Sequence, residues 1–471
     1  MISSWGMPYQ HAVVYGIIHA MNNDNSIRPS AWALFPFLVF AVFYVGLSLY
    51  AQYALGVEMA FYRVSMPVAF ALASAVALCF NRKRPLMEKV EAYAKGMGET
   101  NIMIMCLIFI LAGSFATVAK GSGAVDAAVQ ICQSFIPAKL MVAGVFFISC
   151  LISLAIGTSC GTIAAVTPIA LGFAGPLDLS PGLLMGATIG GAMFGDNLSM
   201  ISDTTIAATR TQGVRMKDKF LANGFIAAPA ALVALGLYAL SGTAAGVAEA
   251  PAITAHHFLL VLPYVLVLVL ALVGFNVMLL LFSGTLLSAA IGAALGKLVL
   301  FDKVVDGVTT PGALDLIGKG ALGMSETLIV ALLAGGLFKA VYDNGGIKWL
   351  TEKISLLVKG PKTCELGVFL LVSAVNLFTA NNTVAIVIAG PIAKECADKF
   401  KANPVRIASV LDTASCVVQG LIPYGAQILI AIGVAKGLDM TVDTSSLLKC
   451  LYYQPLLAVA VFVAMAVKRR G

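Results

Sequence analysis

The sequence predicts an all-α polytopic membrane protein made of inverted repeats, with two re-entrant hairpins and two broken transmembrane helices. Three observations carry this expectation. The chain of 471 residues is 60% hydrophobic and only 11% charged, whereas a soluble domain carries about 25% charged residues. Its apolar runs reach helical spanning length, about 20 residues, rather than the ~10-residue alternating strands of an outer-membrane barrel. Finally, four of its apolar segments are interrupted by small polar residues, which is tolerated at membrane depth only where the backbone faces protein or a polar cavity.

Taken in order, the runs 31–55, 64–80, 101–119, 220–241, 257–274, 276–296, 322–342 and 448–467 read as spanning helices. Segments 138–174 and 364–391 carry polar tips, Gly157-Thr158-Ser159-Cys160-Gly161-Thr162 and Thr379-Ala380-Asn381-Asn382-Thr383, and read as hairpins. Crossings at 182–209 and 407–435 are broken in the middle. The stretch 121–136 reads as a surface or amphipathic segment.

Basic residues cluster at Arg82, Lys83, Arg84, Lys89 and Lys95, at Arg210, Arg215, Lys217 and Lys219, at Lys394, Lys399, Lys401 and Arg406, and at Lys468-Arg469-Arg470. The positive-inside rule places these on the cytoplasmic side and the neutral or acidic loops 244–256 and 298–318 outside. The same rule accounts for the net charge of +7 without a nucleic-acid partner. The first hairpin then enters from outside and the second from inside. The nine cysteines form no CxxC and read as packing residues; His256–His257 diverge on a helix and do not suggest a shared metal. The N-terminal thirty residues lack the pattern of a signal peptide.

The chain repeats itself. Leu111-Ala112-Gly113 matches Leu333-Ala334-Gly335, and Gly123 matches Gly345 at the same offset. That offset superposes the two hairpin tips, and after a short slip Asp196 falls near Asp412 and Ser199 near Ser415. An odd number of crossings between the repeat starts inverts the second copy, the secondary-transporter arrangement with a site at the midplane. The expected organisation is 1–94, an N-terminal segment with two helices; 95–245, the first repeat; 246–318, linking helices; and 319–471, the second repeat and last helix.

Carboxylates at membrane depth are costly and mark ion or proton sites. Residues 195–205, Gly195-Asp196-Asn197-Leu198-Ser199-Met200-Ile201-Ser202-Asp203-Thr204-Thr205, hold two of them. Hard cations prefer oxygen ligands. Asp196, Asp203 and Asp412, with Ser199, Thr204, Thr158 and Ser159, are therefore the candidate cation and proton ligands. Asn381, Asn382 and Thr383 are candidates for a substrate or cation at the second hairpin, because amides offer both oxygens and N–H groups. Asn197, Ser202, Ser415, Gln419 and Glu326 complete the set. Asp203 also fits an N-cap, and Glu326 a solvated helix end. No transition-metal cluster, nucleophilic triad or phosphate loop is evident, so neither an enzyme nor an organic cofactor is expected; the coupling ions are Na+ and H+.

The segment from Gly195 to Thr205 resembles the GD–SP–SDTT signature of NhaC-type sodium/proton antiporters, part of the wider ion transporter superfamily. Gly157–Thr162 followed by Pro168 resembles their GTSWGT hairpin, and Asn376-Leu377-Phe378-Thr379 and Leu421-Ile422-Pro423 resemble the second-half counterparts. Cys160 stands where the family usually has Trp, Met200 where it has Pro, and Tyr424-Gly425 where it has Trp-Asn. The resemblance implies a homodimer in the cytoplasmic (inner) membrane that exchanges sodium or lithium for protons by alternating access. The Trp-to-Cys difference enlarges a pocket, and the alternative is a sodium- or proton-coupled carrier of a small carboxylate or amino acid.

Overall fold

The computed structural model describes residues 28–467 except 58–59, 82–83, 201, 243–253, 274 and 306–307. Expectations placed on the N-terminal segment before residue 28, on Arg82 and Lys83, on most of loop 244–256 and on Lys468-Arg469-Arg470 lie outside the described residues. Among the described residues the fold is all-α apart from a two-stranded antiparallel ribbon, β1 (Lys303–Val305) and β2 (Val308–Thr310). Among the described residues seven helical stretches are long and apolar enough to cross a bilayer, which makes this a multi-pass membrane protein.

The chain opens with α1 (Ala31–Tyr53), α2 (Met66–Cys79) and α3 (Leu86–Met97). The rings of Phe40 of α1 and Phe70 of α2 pack tilted with centroids 4.2 Å apart, and both meet Tyr424 edge-on. The first of two similar runs then begins: α4 (Thr100–Gly121), α5 (Ala124–Phe135), the pair α6 (Met141–Ile156) and α7 (Ser159–Gly172), and the pair α8 (Pro181–Leu198) and α9 (Asp203–Gln212). Helices α10 (Met216–Ser241), α11 (Ala255–Leu272), α12 (Val277–Ala294) and α13 (Ala313–Gly323) follow. The second run has the same order: α14 (Ser325–Asp343), α15 (Gly346–Ser355), α16 (Pro361–Thr379) with α17 (Asn382–Phe400), and α18 (Pro404–Gln419) with α19 (Ala426–Gly437). Helix α20 (Tyr453–Ala466) ends the fold.

Both runs turn at a glycine. Gly123 and Gly345 precede α5 and α15 with φ 81° and 82°, a left-handed conformation that costs glycine little. Helices α5 and α15 have 12 and 10 residues, too few to cross a hydrocarbon core. One face of α5, including Val125 and Val129, is buried.

With lipid as solvent, helices associate through close packing of small residues. A Cβ on Gly191 or Gly195 of α8 would lie 2.3 Å from the Phe146 carbonyl oxygen or 2.4 Å from the Leu154 nitrogen of α6. Gly113 of α4 and Gly320 of α13 approach as closely, each within 2.2 Å of the other's carbonyl oxygen by the same measure. These backbone-to-backbone seams lock α6 to α8 and α4 to α13.

One charge lies elsewhere than the basic pattern suggests. Lys219 was expected in a cytoplasmic loop, yet it sits within the first turn of α10, 1% exposed and facing the interior. A carboxylate and two further oxygens compensate its burial, as described below.

Candidate functional site

Each hairpin reverses by the same two-residue device. After α6, Gly157 is left-handed (φ 76°) and Thr158 extended (φ −148°) before α7 starts. After α16, Ala380 is left-handed (φ 49°) and Asn381 extended (φ −145°) before α17 starts. Asn381 Oδ1 caps α17 by accepting from the Val384 N–H at 3.0 Å. The broken crossings differ from the tips. Helix α8 stops at Leu198 and α9 begins at Asp203, with Ser202 as its N-cap, accepting from the Thr204 N–H at 3.3 Å. Helix α18 stops at Gln419 and α19 begins at Ala426, separated by a segment that contains Pro423, which has no N–H to continue a helix.

These four interruptions converge on one cavity of about 100 Å³. Its lining includes Gly157, Thr158, Ser159 and Cys160 from the first tip, and Asn381, Asn382 and Thr383 from the second. Asp196, Asp203 and Thr204 come from the first broken crossing, and Gln419, Ala426 and Gln427 from the second. Asn101 and Met105 of α4 close one side.

Asp196 is 4% exposed. Its Oδ2 accepts from the Ser159 hydroxyl at 2.7 Å and its Oδ1 from the Ser202 hydroxyl at 2.5 Å. A bare carboxylate there would face a large desolvation cost, and the partners found for it among the described residues are neutral hydroxyls. A hydrogen-bond chain ties it to the other three interruptions. Gln427 Nε2 donates to Ser159 Oγ at 3.0 Å, and Gln419 Nε2 donates both to Gln427 Oε1 and to the Ala380 carbonyl at 2.8 Å. Two polar atoms at the cavity are buried without a hydrogen-bond partner, Gln419 Oε1 and Asn382 Nδ2.

The cavity thus gathers Asp196, Asp203, Thr158, Ser159, Thr204, Asn381, Asn382, Thr383 and Gln419. Ser202 reaches it through Asp196. The other candidates lie elsewhere. Asp412 is fully buried in an ion pair with Lys219. Asn197 supplies its carbonyl to that lysine at 2.8 Å. Ser415 bonds back to the Asp412 carbonyl at 2.9 Å, and its own carbonyl accepts from Asn376 at 2.9 Å. Ser199 is buried where α8 ends, its N–H donating to the Gly195 carbonyl at 2.8 Å. Glu326 pairs with Lys436, both partly exposed.

Sequence reading missed Gln427, Asn101, Lys219 and Asn223. Gln427 follows the Pro423-Tyr424-Gly425 break by two residues, a place as informative as Asn382 in the hairpin. Lys219 abuts the apolar run at 220 and looked like its cytoplasmic flank.

The description "Na+/H+ antiporter family" belongs to a family model that matches residues 18–240 and 241–467, nearly the whole chain. The chain belongs to the Na+/H+ antiporter family. It is a transporter, not an enzyme. Relatives include the Na(+)/H(+) antiporter NhaC of Bacillus subtilis, 26% identical over 385 residues that cover 76% of this chain and 82% of that protein. They also include two proteins with organic substrates in their names. The malate-2H(+)/Na(+)-lactate antiporter of the same organism is 22% identical, covering 69% of this chain and 74% of its own. The arginine/ornithine antiporter ArcD of Halobacterium salinarum is 22% identical, covering 70% of this chain and 72% of its own.

Proposed function

We propose that this protein exchanges sodium (or lithium) for protons in the cytoplasmic membrane by alternating access, with Asp196 as the group that carries both ions in turn. The observation that carries this reading is the position of Asp196, buried at the cavity where both hairpin tips and both broken crossings meet. A carboxylate there has two ways of losing its desolvation cost: it takes a proton or it takes a cation, and each excludes the other. Thr158, Ser159 and Thr204 hydroxyls and the free Gln419 Oε1 supply further oxygens. A volume of about 100 Å³ suits an ion with few waters better than a drug-sized ligand, whose pockets run to about 300–1,000 Å³. The repeats 95–245 and 319–471 are the proposed halves that rock about this site.

Everted membrane vesicles with a pH-sensitive dye test the reading. Addition of Na+ or Li+ should dissipate a preformed proton gradient, and Asp196→Asn should abolish that response. A cation-insensitive gradient, or an intact response in Asp196→Asn, rejects it.

A second reading, coupled exchange of a small carboxylate or amino acid, is favoured by a separate observation. The N-terminal residues of α7, α9, α17 and α19 all line the cavity, and helix N-termini attract anions. The unpartnered Asn382 Nδ2 adds a donor. The names of the lactate and arginine/ornithine relatives point the same way. Thermal stabilisation across a panel of organic acids and amino acids separates the readings, since an ion-only exchanger responds to cations and pH alone.

A further inference from the structure

We propose that Asp412 is the centre of a second monovalent-cation site whose resident cation is the Lys219 ammonium, and that sodium takes that place when the lysine side chain is removed. Lys219 and Asp412 are 1% and 0% exposed. The ammonium contacts the Asp412 carboxylate and donates to the Asn197 carbonyl at 2.8 Å and to Thr205 Oγ1 at 2.7 Å. A carboxylate, a backbone carbonyl and a hydroxyl form an oxygen set of the kind that binds hard cations. Moreover, the carbonyl comes from the last turn of α8, the negative end of a helix dipole.

The surroundings fit a cation site better than a simple strut. Asn223 Nδ2 donates to Asp412 Oδ2 at 3.1 Å, while its Oδ1 is buried without a partner. The same Asn223 amide also donates to the Asn197 carbonyl at 3.2 Å, so it braces two of the oxygens that hold the ammonium. A buried ion pair is poor as mere structure, since an apolar replacement of similar volume is often equally stable. Position also matters. Asp196 and Asp412 lie on the two broken crossings but not at equivalent places: counted from Pro181 and Pro404, Asp196 falls on Gln419, and Asp412 lies about two turns before it. One faces the cavity among neutral hydroxyls; the other is neutralised by a cation tethered to α10. The inference stands on the oxygen cage around Lys219 and does not require sodium binding at Asp196.

The test compares purified full-length wild type, Lys219→Ala and Lys219→Ala/Asp412→Asn, all prepared in sodium. Radioactive sodium binding and melting temperature in sodium against choline are the readouts. Lys219→Ala should bind about one more sodium per chain than wild type and melt higher in sodium than in choline. The double variant should return to the wild-type stoichiometry and lose the extra stabilisation. No additional sodium in Lys219→Ala, or additional sodium that persists in the double variant, overturns the proposal. So does a Lys219→Ala protein that aggregates in sodium, because a free cation then fails to replace the ammonium.

Discussion

Gln427 and Ser159, 268 positions apart, are joined by a 3.0 Å hydrogen bond from the Gln427 amide to the Ser159 hydroxyl, and Ser159 spends its own proton on Asp196. The second broken crossing thereby orients the hydroxyl that holds the carboxylate of the first. Gln427→Ala removes that orientation. The protein should remain folded while the sodium concentration for half-maximal exchange rises by up to about tenfold, the equivalent of one hydrogen bond between neutral groups. An unchanged sodium dependence in vesicle assays would show that the link is incidental.

Ser202 has two duties, as donor to Asp196 and as N-cap of α9. Ser202→Ala should cost about 1–3 kcal/mol in stability through the lost cap and the unsatisfied carboxylate oxygen. It should also impair exchange. Ser202→Thr, which keeps the hydroxyl, should restore both. Thermal melts and flux measured on the same preparations check this pairing.

Ala380 adopts φ 49° at the second tip, where its counterpart is Gly157. A left-handed alanine costs about 1–2 kcal/mol, so Ala380→Gly should raise the melting temperature. Ala380→Val should lower it, since branching at Cβ worsens the same clash. If glycine destabilises the tip, its conformation is not the strained one described.

Glycines in this chain should divide sharply by position. Gly195→Ala drives a methyl into Ser153 and the Leu154 backbone at 2.4 Å, overpacking that costs about 1–3 kcal/mol or more. Gly224→Ala meets nothing within 4 Å and removes a poor helix former, worth up to about 1 kcal/mol of stabilisation. Parallel melting curves of the two variants should move in opposite directions.

Glu326, a candidate in the sequence, pairs with Lys436 at a partly exposed position. Exposed pairs contribute about 0–1 kcal/mol. Glu326→Gln should leave exchange rates within about twofold of wild type, and a large loss of flux would move Glu326 back among the functional residues.

Much of the site was legible because its cues are local. A polar tip inside an apolar run, such as Thr158-Ser159 or Asn381-Asn382, can hardly be anything but an interruption, and interruptions at membrane depth must face something polar. Asp196 followed from the same reasoning. Asp412 was named as its counterpart only by allowing a slip in the repeat, and the sequence offered no means of seeing what neutralises it. Lys219 comes 193 positions earlier in the chain, and a lysine at the end of an apolar run looks alike whether it points outward to headgroups or inward to a carboxylate. Gln427, the second residue of α19, was passed over although the preceding break marks its place; its role shows once Ser159 lies opposite it. The local residues thus expose breaks, whereas the partners that tune them come from folding distant segments together.

The glycine seam between α6 and α8 has a mechanical consequence. Where backbone rests on backbone at Gly191 and Gly195, neither helix can slip along the other without collision, because close-packed interiors deform in discrete steps rather than continuously. Ser153 pins the same seam by donating to the Ala192 carbonyl at 2.5 Å. The first helix of one hairpin and the first half of the neighbouring crossing therefore behave as a single lever. Any displacement that opens the cavity has its fulcrum outside this seam, and a spin label or fluorophore pair placed across α6 and α8 should report a constant distance through the whole cycle.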